Sequence, residues 1–386
     1  MGEPRPVSLS LPAAGPGPAF VHAHSPAPRW QDAAAACART IAASGIGANL
    51  GFVYVTDSHA ADLAAVVRVL RESSGVEHWV GTVGIGVCAT GVEYLDRPAI
   101  VTLAGAFPQD GFRLLPSMDD PSALPEGLYA CGAQDANLAV LHADPSCRYL
   151  LELIGGVAQR VSSGFVIGGL TSSRGAATQV ADGVASGGMS GVLFGENVRV
   201  LTRLSQGCTP IGPRHRVTEC HRNVAMKLDG RPALEVFDAE VGTRLAGDYR
   251  KAAAEVFAAL TIRGSDTGDY MVRNLVGIDP QQQWVAVGDW LEPGSEIMFC
   301  RRDAKSATED FERVLAGARE AIEGTPRGGL YFSCLGRGEG LFGPGSAELK
   351  LISRHLGEFP LAGFFGNGEV SHDRLYGYTG VLLLFL

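Results

Sequence analysis

The hydrophobic positions of this chain follow two spacings, one typical of helices and one typical of strands. Between residues 58 and 73 the apolar side chains fall on one helical face, at Leu63, Val66, Val67 and Leu70. Shorter apolar runs bounded by turn residues, such as FVIGGL, MSGVLFG and GGLYFSC, indicate buried strands. Because helices and strands do not alternate strictly, the pattern predicts an α+β fold with two domains of mixed, largely antiparallel sheets flanked by helices.

Proline and glycine divide the chain into three segments. Residues 1–28 are predicted to be a disordered leader, because the prolines between positions 12 and 18 would break the helix of a signal peptide. A polar loop, GSDTGD, follows a helical stretch and precedes a new series of strands. We therefore expect one domain over residues 29–245 and a second over residues 246–386.

The composition narrows the classes of partner. The 386 residues are 46% hydrophobic, which is enough to bury at least one large core. Lys and Arg total 32 against 41 Asp and Glu, and this excess of negative charge disfavours contact with a nucleic-acid backbone. The longest apolar run near either terminus, Val381 to Leu386, is far shorter than the ~20 residues of a membrane-spanning helix. We expect no nucleic-acid partner, no membrane insertion and a cytoplasmic location.

The sequence lacks the familiar catalytic and cofactor motifs. Its 8 cysteines include no CxxC pair, so their spacing predicts buried thiols and no zinc or redox motif. Gly84 and Gly86 match the start of a dinucleotide fingerprint, but no helix start follows them. The motifs GxxxxGK(S/T), HExxH and GxSxG do not occur. The sequence implies no cofactor, no metal and no catalytic residue, and it favours a binding protein over an enzyme.

Five glycine-rich motifs follow one another along the chain: FVIGGLTSS, GGMSGVLFG, SQGCTPIG, FSCLGRG and PLAGFFGNGEV. In this order they resemble the FIST family, whose N-terminal and C-terminal domains occur in bacterial signal-transduction proteins. The resemblance covers residues 50–378. It implies a two-domain sensory module that binds small ligands, with amino acids suggested as the ligand class. Because no kinase, cyclase or methyl-accepting segment accompanies the motifs, we expect a separate signalling protein as partner.

One arginine and one glutamate in these motifs are candidate ligand contacts. Arg337 lies between Gly336 and Gly338 after a predicted buried strand, in a loop whose N–H groups can face a ligand. A guanidinium can bind a carboxylate through two hydrogen bonds, and Glu369 can accept an ammonium group, so the pair would suit a zwitterion. The alternative is that Arg337 and Glu369 pair with each other or with carbonyls and only fix two loops.

Two cysteines and an asparagine complete the candidate site. Cys208 and Cys334 each lie near a glycine bend, and Asn367 lies in a glycine loop. We expect the glycine loops of both domains to meet at a shared cleft that these three side chains line. The alternatives are a protein-interaction scaffold and an enzyme in which either thiol acts with a histidine. The candidate histidines are His215, His221, His355 and His372. Alanine at Arg337 is expected to abolish ligand-induced stabilisation without unfolding the protein.

Overall fold

The computed structural model describes residues 19–124, 130–132, 134–242, 247–261 and 270–386. They form two compact units: the barrel unit, made of residues 206–311, and the three-sheet unit, made of residues 19–205 and 312–386. The predicted boundary near residue 245, the GSDTGD loop and the first 18 residues of the predicted leader lie outside the described residues. The division into 29–245 and 246–386 stays a prediction.

The first segment of the three-sheet unit runs to residue 205. Its helices are α1 (Trp30–Ser44), α2 (Leu63–Ser74) and α3 (Leu150–Ala158), with short 3-10 helices at Asp57–Asp62 and Pro121–Ala123. Its strands are β1 (Ala19–Ser25), β2 (Leu50–Thr56), β3 (His78–Gly84), β4 (Gly86–Ala89), β5 (Val92–Leu95), β6 (Ile100–Ala106), β7 (Phe112–Met118), β8 (Ala130–Cys131), β9 (Gln134–Ala143), β10 (Phe165–Leu170), β11 (Thr178–Ala181), β12 (Gly183–Ser186), β13 (Met189–Gly195) and β14 (Val200–Ser205). Strand β1 falls within the predicted leader.

The rest of the chain supplies the barrel unit and then returns to the three-sheet unit. The helices are α4 (Ala233–Val241), α5 (Tyr249–Glu255), α6 (Ala304–Glu320), α7 (Glu339–Phe342) and α8 (Ala347–Leu356). The strands are β15 (Thr209–Pro210), β16 (His215–His221), β17 (Val224–Leu228), β18 (Arg231–Pro232), β19 (Val256–Thr261), β20 (Tyr270–Asp279), β21 (Trp284–Val287), β22 (Glu296–Arg301), β23 (Gly328–Cys334), β24 (Leu361–Gly366), β25 (Glu369–Ser371), β26 (Arg374–Tyr376) and β27 (Gly380–Phe385).

Three sheets make up the three-sheet unit. The strand orders are β1-β6-β2-β3-β11-β12 in the first, β26-β25-β10-β9-β13-β7 in the second, with β8 beside β9, and β14-β27-β23-β24-β4-β5 in the third. Each sheet contains one parallel pair: β2 with β3, β9 with β10, and β23 with β24. Helix α2 connects the first pair, α3 the second, and α7 and α8 the third, because a parallel connection needs a crossover segment. The other pairings among the described strands are antiparallel.

The barrel unit is a closed antiparallel sheet. Its strand order is β15-β22-β16-β17-β21-β20-β19. Strand β19 also pairs with β22, so the six strands from β22 to β19 form a closed barrel. Closure removes unpaired strand edges. Helices α4 and α5 pack their apolar side chains against one surface of this sheet, and Phe237 contacts Phe299 edge to face at 5.0 Å.

The main core of the three-sheet unit lies where the three sheets face one another. The inward side of β27 contributes Val381, Leu383 and Phe385 to this core, together with apolar side chains of β2, β9, β13 and β24. The remaining leucines of β27, Leu382 and Leu384, are buried as well, so the strand is apolar on both faces. Helix α3 covers the outer side of the second sheet, and α1 and α2 cover the first.

The fold class is the predicted one, a mixed α+β protein. Two helices end at glycines, which favour the left-handed conformation that often terminates a helix. They are α1, which ends at Gly45 with φ 65°, and α2, which ends at Gly75 with φ 77°. Within the described residues, no helix combines the length and apolar composition that crossing a lipid bilayer requires.

Candidate functional site

The carboxyl ends of the three parallel pairs meet in one place in the three-sheet unit. We call this place the carboxyl-end junction; it consists of the residues that directly follow β2, β3, β9, β10, β23 and β24. In open α/β sheets, ligands bind at the carboxyl ends of parallel strands, because loops there are free to carry functional side chains. The convergence makes this junction the candidate site.

Hydrogen bonds connect the loops of the junction directly. Ser172, after β10, donates its hydroxyl to the carbonyl of Phe365 on β24 and accepts the amide of Ile85, after β3, at 2.9 Å. The amide of Asn367 donates to the carbonyl of Leu170 at 3.0 Å. These bonds tie all three sheets together at their carboxyl ends, so the loops are held by one shared network.

Arg337 follows β23 and is fully buried in this network. Its Nε donates to Glu348 Oε1 at 2.7 Å, and its Nη2 donates to the hydroxyls of Ser205 at 3.3 Å and Tyr331 at 3.4 Å. Its guanidinium carbon lies 4.9 Å from the ring centre of Phe342. The cation thus has a buried carboxylate as its ion-pair partner.

Glu348 is bonded from several sides. Tyr331 donates its hydroxyl to Oε1 at 2.7 Å, and the amide of Gly338 donates to Oε2 at 2.9 Å. Glu93 binds the next amide of the same loop, since its Oε1 accepts the N–H of Glu339 at 2.8 Å. The pKa of Glu93 rises to about 7, because burial outweighs this hydrogen bond. The loop amides at 338 and 339 therefore bind protein carboxylates.

Glu369, at the start of β25, has a different environment. Its Oε2 accepts the Thr379 amide at 3.2 Å and the Thr379 hydroxyl at 2.8 Å. Its Oε1 accepts no hydrogen bond within the described residues, although the side chain is 0% exposed. Burial raises the pKa of Glu369 to about 8, and Thr379 and the charge of Arg337 offset this effect only incompletely. At neutral pH the isolated site holds mostly the protonated acid.

Three of the remaining predicted residues of this loop region, Cys334, Gly336 and Asn367, lie nearer to solvent than Arg337 and Glu369. Asn367 and Gly336 are exposed, and Cys334 is half-buried, with its amide bonded to the carbonyl of Thr379 at 3.0 Å. Gly338 is buried at φ 59°, where a Cβ would lie 2.8 Å from Glu93 Oε1, so glycine is needed there. The three-sheet unit thus brings together six of the seven predicted site residues: Cys334, Gly336, Arg337, Gly338, Asn367 and Glu369.

Cys208 belongs to the barrel unit. It is buried, and its carbonyl accepts the hydroxyl of Tyr270 at 2.7 Å. Cys–His chemistry would require the thiol and an imidazole to meet, and the barrel histidine nearest in sequence, His215, is bonded to Asp229 and Glu240. The Cys-dependent enzyme stays a prediction without a specific observation in its favour.

Sequence reasoning missed the two carboxylates that bind the Arg337 loop. Glu348 offered one signal, because it falls on the apolar face of α8 with Ile352 and Leu356, where a charged residue needs a buried partner. Glu93 offered none, since β5 carries no other sign of a site. Among the described residues, no group of three or more metal-ligating side chains is arranged to hold an ion.

Comparison with known proteins identifies the family. The FIST N domain matches residues 49–231 and the FIST C domain matches residues 233–372, so the chain belongs to the FIST family, as its motifs predicted. The uncharacterized protein Rv0628c of Mycobacterium tuberculosis is 32% identical over 372 residues, which cover 92% of this chain and 95% of the relative. The uncharacterized protein Mb0898c of Mycobacterium bovis is 29% identical over 345 residues, 86% of this chain and 88% of the relative. FIST domains are associated with signal transduction and the sensing of small ligands.

Proposed function

We propose that this protein is a sensory module that binds a small polar ligand carrying an ammonium group, with amino acids as the expected class, at the carboxyl-end junction. The observation that carries the proposal is Glu369, a fully buried carboxyl group whose Oε1 accepts no hydrogen bond in the described part of the chain. A buried carboxylate is stable only when it is paired. An ammonium group at Oε1 would supply both the missing hydrogen bond and the missing charge.

The ammonium end of the ligand is better supported than the carboxylate end. Arg337, the predicted partner of a ligand carboxylate, already binds Glu348 at 2.7 Å, so a ligand would have to share the guanidinium with that residue. Glu369 offers an oxygen that does not require such sharing. Cys334, Asn367, Gly336 and Gly338 are proposed to line the approach. Transmission of the signal would require a separate protein, which stays a prediction.

Binding of an ammonium group should release a proton from Glu369. Because the pKa of Glu369 is about 8, the carboxyl group is mostly protonated at pH 6 and must ionise to form the ion pair. Ligand affinity is therefore expected to rise about tenfold for each pH unit between pH 6 and pH 7.5. A ligand bound through carboxylate contacts alone would show no such rise.

A thermal-shift screen of the twenty amino acids and small primary amines tests the proposal. A ligand at a hundred times its dissociation constant should stabilise the wild-type protein by about 2.7 kcal/mol. Glu369→Gln should remove this stabilisation, because the neutral amide cannot pair with the ammonium charge. The matched control is Glu358→Gln, the same change at an exposed glutamate, which should respond as the wild type does. Equal stabilisation of the Glu369→Gln variant would overturn the assignment.

A further inference from the structure

One row of the second sheet carries three polar side chains across neighbouring strands. The register pairs Ser190 of β13 with His142 of β9, His142 with Gly169 of β10, and Gly169 with Glu369 of β25. Side chains of residues paired in this way point to the same face of a sheet. In the neighbouring row, Val140 lies two residues before His142 on β9, and its partner Val192 lies two residues after Ser190 on the antiparallel β13. Both valines belong to the main core, so the polar row lies at the edge of that core towards the carboxyl end of β9.

Each polar member of this row has one atom that lacks a hydrogen-bond partner among the described residues. The atoms are Ser190 Oγ, His142 Nδ1 and Glu369 Oε1, and the three side chains are 1%, 0% and 0% exposed. Buried polar atoms in proteins are nearly always hydrogen-bonded to protein, water or ligand. Ser190 and His142 lie on adjacent strands, so their β-carbons are ~5 Å apart. A single ligand atom placed between the two side chains can therefore accept a hydrogen bond from each.

The hydrogen-bonding role of His142 Nδ1 follows from its neighbour Tyr54. The Tyr54 hydroxyl lies 3.2 Å from His142 Nε2 and forms no other hydrogen bond within the segments of the chain that are described. The hydroxyl can use its only hydrogen by donating it to Nε2, which leaves the ring hydrogen on Nδ1. Burial lowers the pKa of His142 to about 3, so the ring is neutral. His142 Nδ1 is therefore a neutral donor without an acceptor among the described residues.

The surroundings of this donor are apolar and aromatic. The rings of Phe332 and Phe364 have centres 6.1 Å and 5.9 Å from that of His142. Neither His142 nor Ser190 is hydrogen-bonded to a cationic side chain among the described residues. Burying a carboxylate beside neutral donors in such a place costs far more than burying a carbonyl group.

We infer that His142 Nδ1–H and Ser190 O–H form a subsite for a neutral carbonyl oxygen of the ligand, in the same row of the second sheet as Glu369. This inference rests on the proposed function, which supplies the ligand. It concerns the carbonyl group of that ligand, whereas the proposed function concerns the ammonium group. The carbonyl oxygen would accept both hydrogens, while Tyr54 fixes the tautomer of the ring. Primary amides and ketones are the classes of group that fit this subsite.

Nitrogen-15 NMR of histidine-labelled protein tests the subsite with acetamide, a neutral carbonyl probe that carries no ammonium group. We expect the wild type to show His142 as the Nδ1–H tautomer and to show a saturable change of this signal with acetamide. Ser190→Ala should weaken acetamide binding at least tenfold. The matched control, Ser186→Ala, changes an exposed serine of β12 and should leave binding unchanged. Acetate, the charged counterpart, should bind at least tenfold more weakly than acetamide.

Several outcomes would overturn the subsite. They are a His142 ring protonated at Nε2 alone, no saturable response to acetamide, equal binding by Ser190→Ala, and equal binding of acetate. Because acetamide carries no ammonium group, these outcomes leave the ammonium-binding test of the Glu369→Gln variant unaffected. If no amino acid or amine stabilises the protein while acetamide still gives the saturable NMR change, the ammonium-binding proposal is overturned and the carbonyl subsite is supported.

Discussion

The two units of the protein each contain a cluster of opposite charges, and the clusters differ in burial and in the cation. The arginine cluster, Arg337 with Glu348, has both side chains 0% exposed. The histidine cluster in the barrel unit holds His215 between Asp229 at 2.7 Å and Glu240 at 2.9 Å, and the Asp229 side chain is 46% exposed. A guanidinium stays charged at every physiological pH, whereas an imidazole does not.

This difference gives the two clusters different dependence on pH. Burial by itself lowers the pKa of Arg337, but Tyr331 and Glu348 raise it more, so the buried ion pair persists. Burial also lowers the pKa of His215, and here the hydrogen bonds to Asp229 and Glu240 outweigh it, so the pKa is raised. Both ring nitrogens of His215 face carboxylates, and a neutral imidazole has only one N–H to donate. The full histidine cluster therefore needs the protonated ring.

The largest expected effect comes from removing the buried cation. Arg337→Met should lower the free energy of unfolding by about 3 to 5 kcal/mol, because Glu348 would remain buried without its cation. The structure thus opposes the expectation that alanine at Arg337 leaves the fold intact. Urea denaturation measures the loss.

The double variant Arg337→Met with Glu348→Leu provides the control for this experiment. It removes both charges, so it should recover most of the stability that the single variant loses. A single variant within about 1 kcal/mol of the wild type would show that the pair is not as buried as described.

The next effect concerns the pH dependence of the histidine cluster. The raised pKa of His215 means that its stabilisation is complete below pH 6.5 and is lost as the pH rises through the raised value. Glu240→Gln keeps a hydrogen-bond acceptor but removes a charge, so the pKa of His215 should fall and the free energy of unfolding at pH 6 should drop by about 1 kcal/mol. NMR titration of His215 and urea denaturation from pH 5.5 to pH 9 measure both.

Asp229→Asn is the companion variant for this titration. Because Asp229 is much more exposed than Glu240, its charge is better screened, and its removal should lower the pKa of His215 less. An unchanged pKa of His215 in both variants would show that the carboxylates do not hold the ring in its charged form.

The sequence predicted the strands better than it predicted which side chains contact one another. The strands FVIGGL, GGLYFSC and LAGFFG could be found because an apolar run between glycines has few alternatives to a buried strand. The loop of Arg337 and the position of Glu369 followed from the same motifs. The partner of Arg337 did not, because Glu348 lies on a helix and meets the guanidinium only when α8 packs on the third sheet. The unpartnered atoms of His142 and Ser190 also depend on register, which no local pattern specifies.

The smallest expected effect tests whether burial determines how much each ion pair contributes to the free energy of unfolding. Arg231 of β18 and Glu235 of α4 are four residues apart in sequence and form an ion pair at 2.9 Å, and their side chains are 52% and 54% exposed. Because water and salt screen an exposed pair, Glu235→Gln should change the free energy of unfolding by no more than about 0.5 kcal/mol. Its distance is nearly that of the Arg337–Glu348 pair, so the main difference between the two pairs is their surroundings. Urea denaturation should rank the three pairs by burial, and a loss at Glu235 as large as that at Glu240 would contradict this ranking.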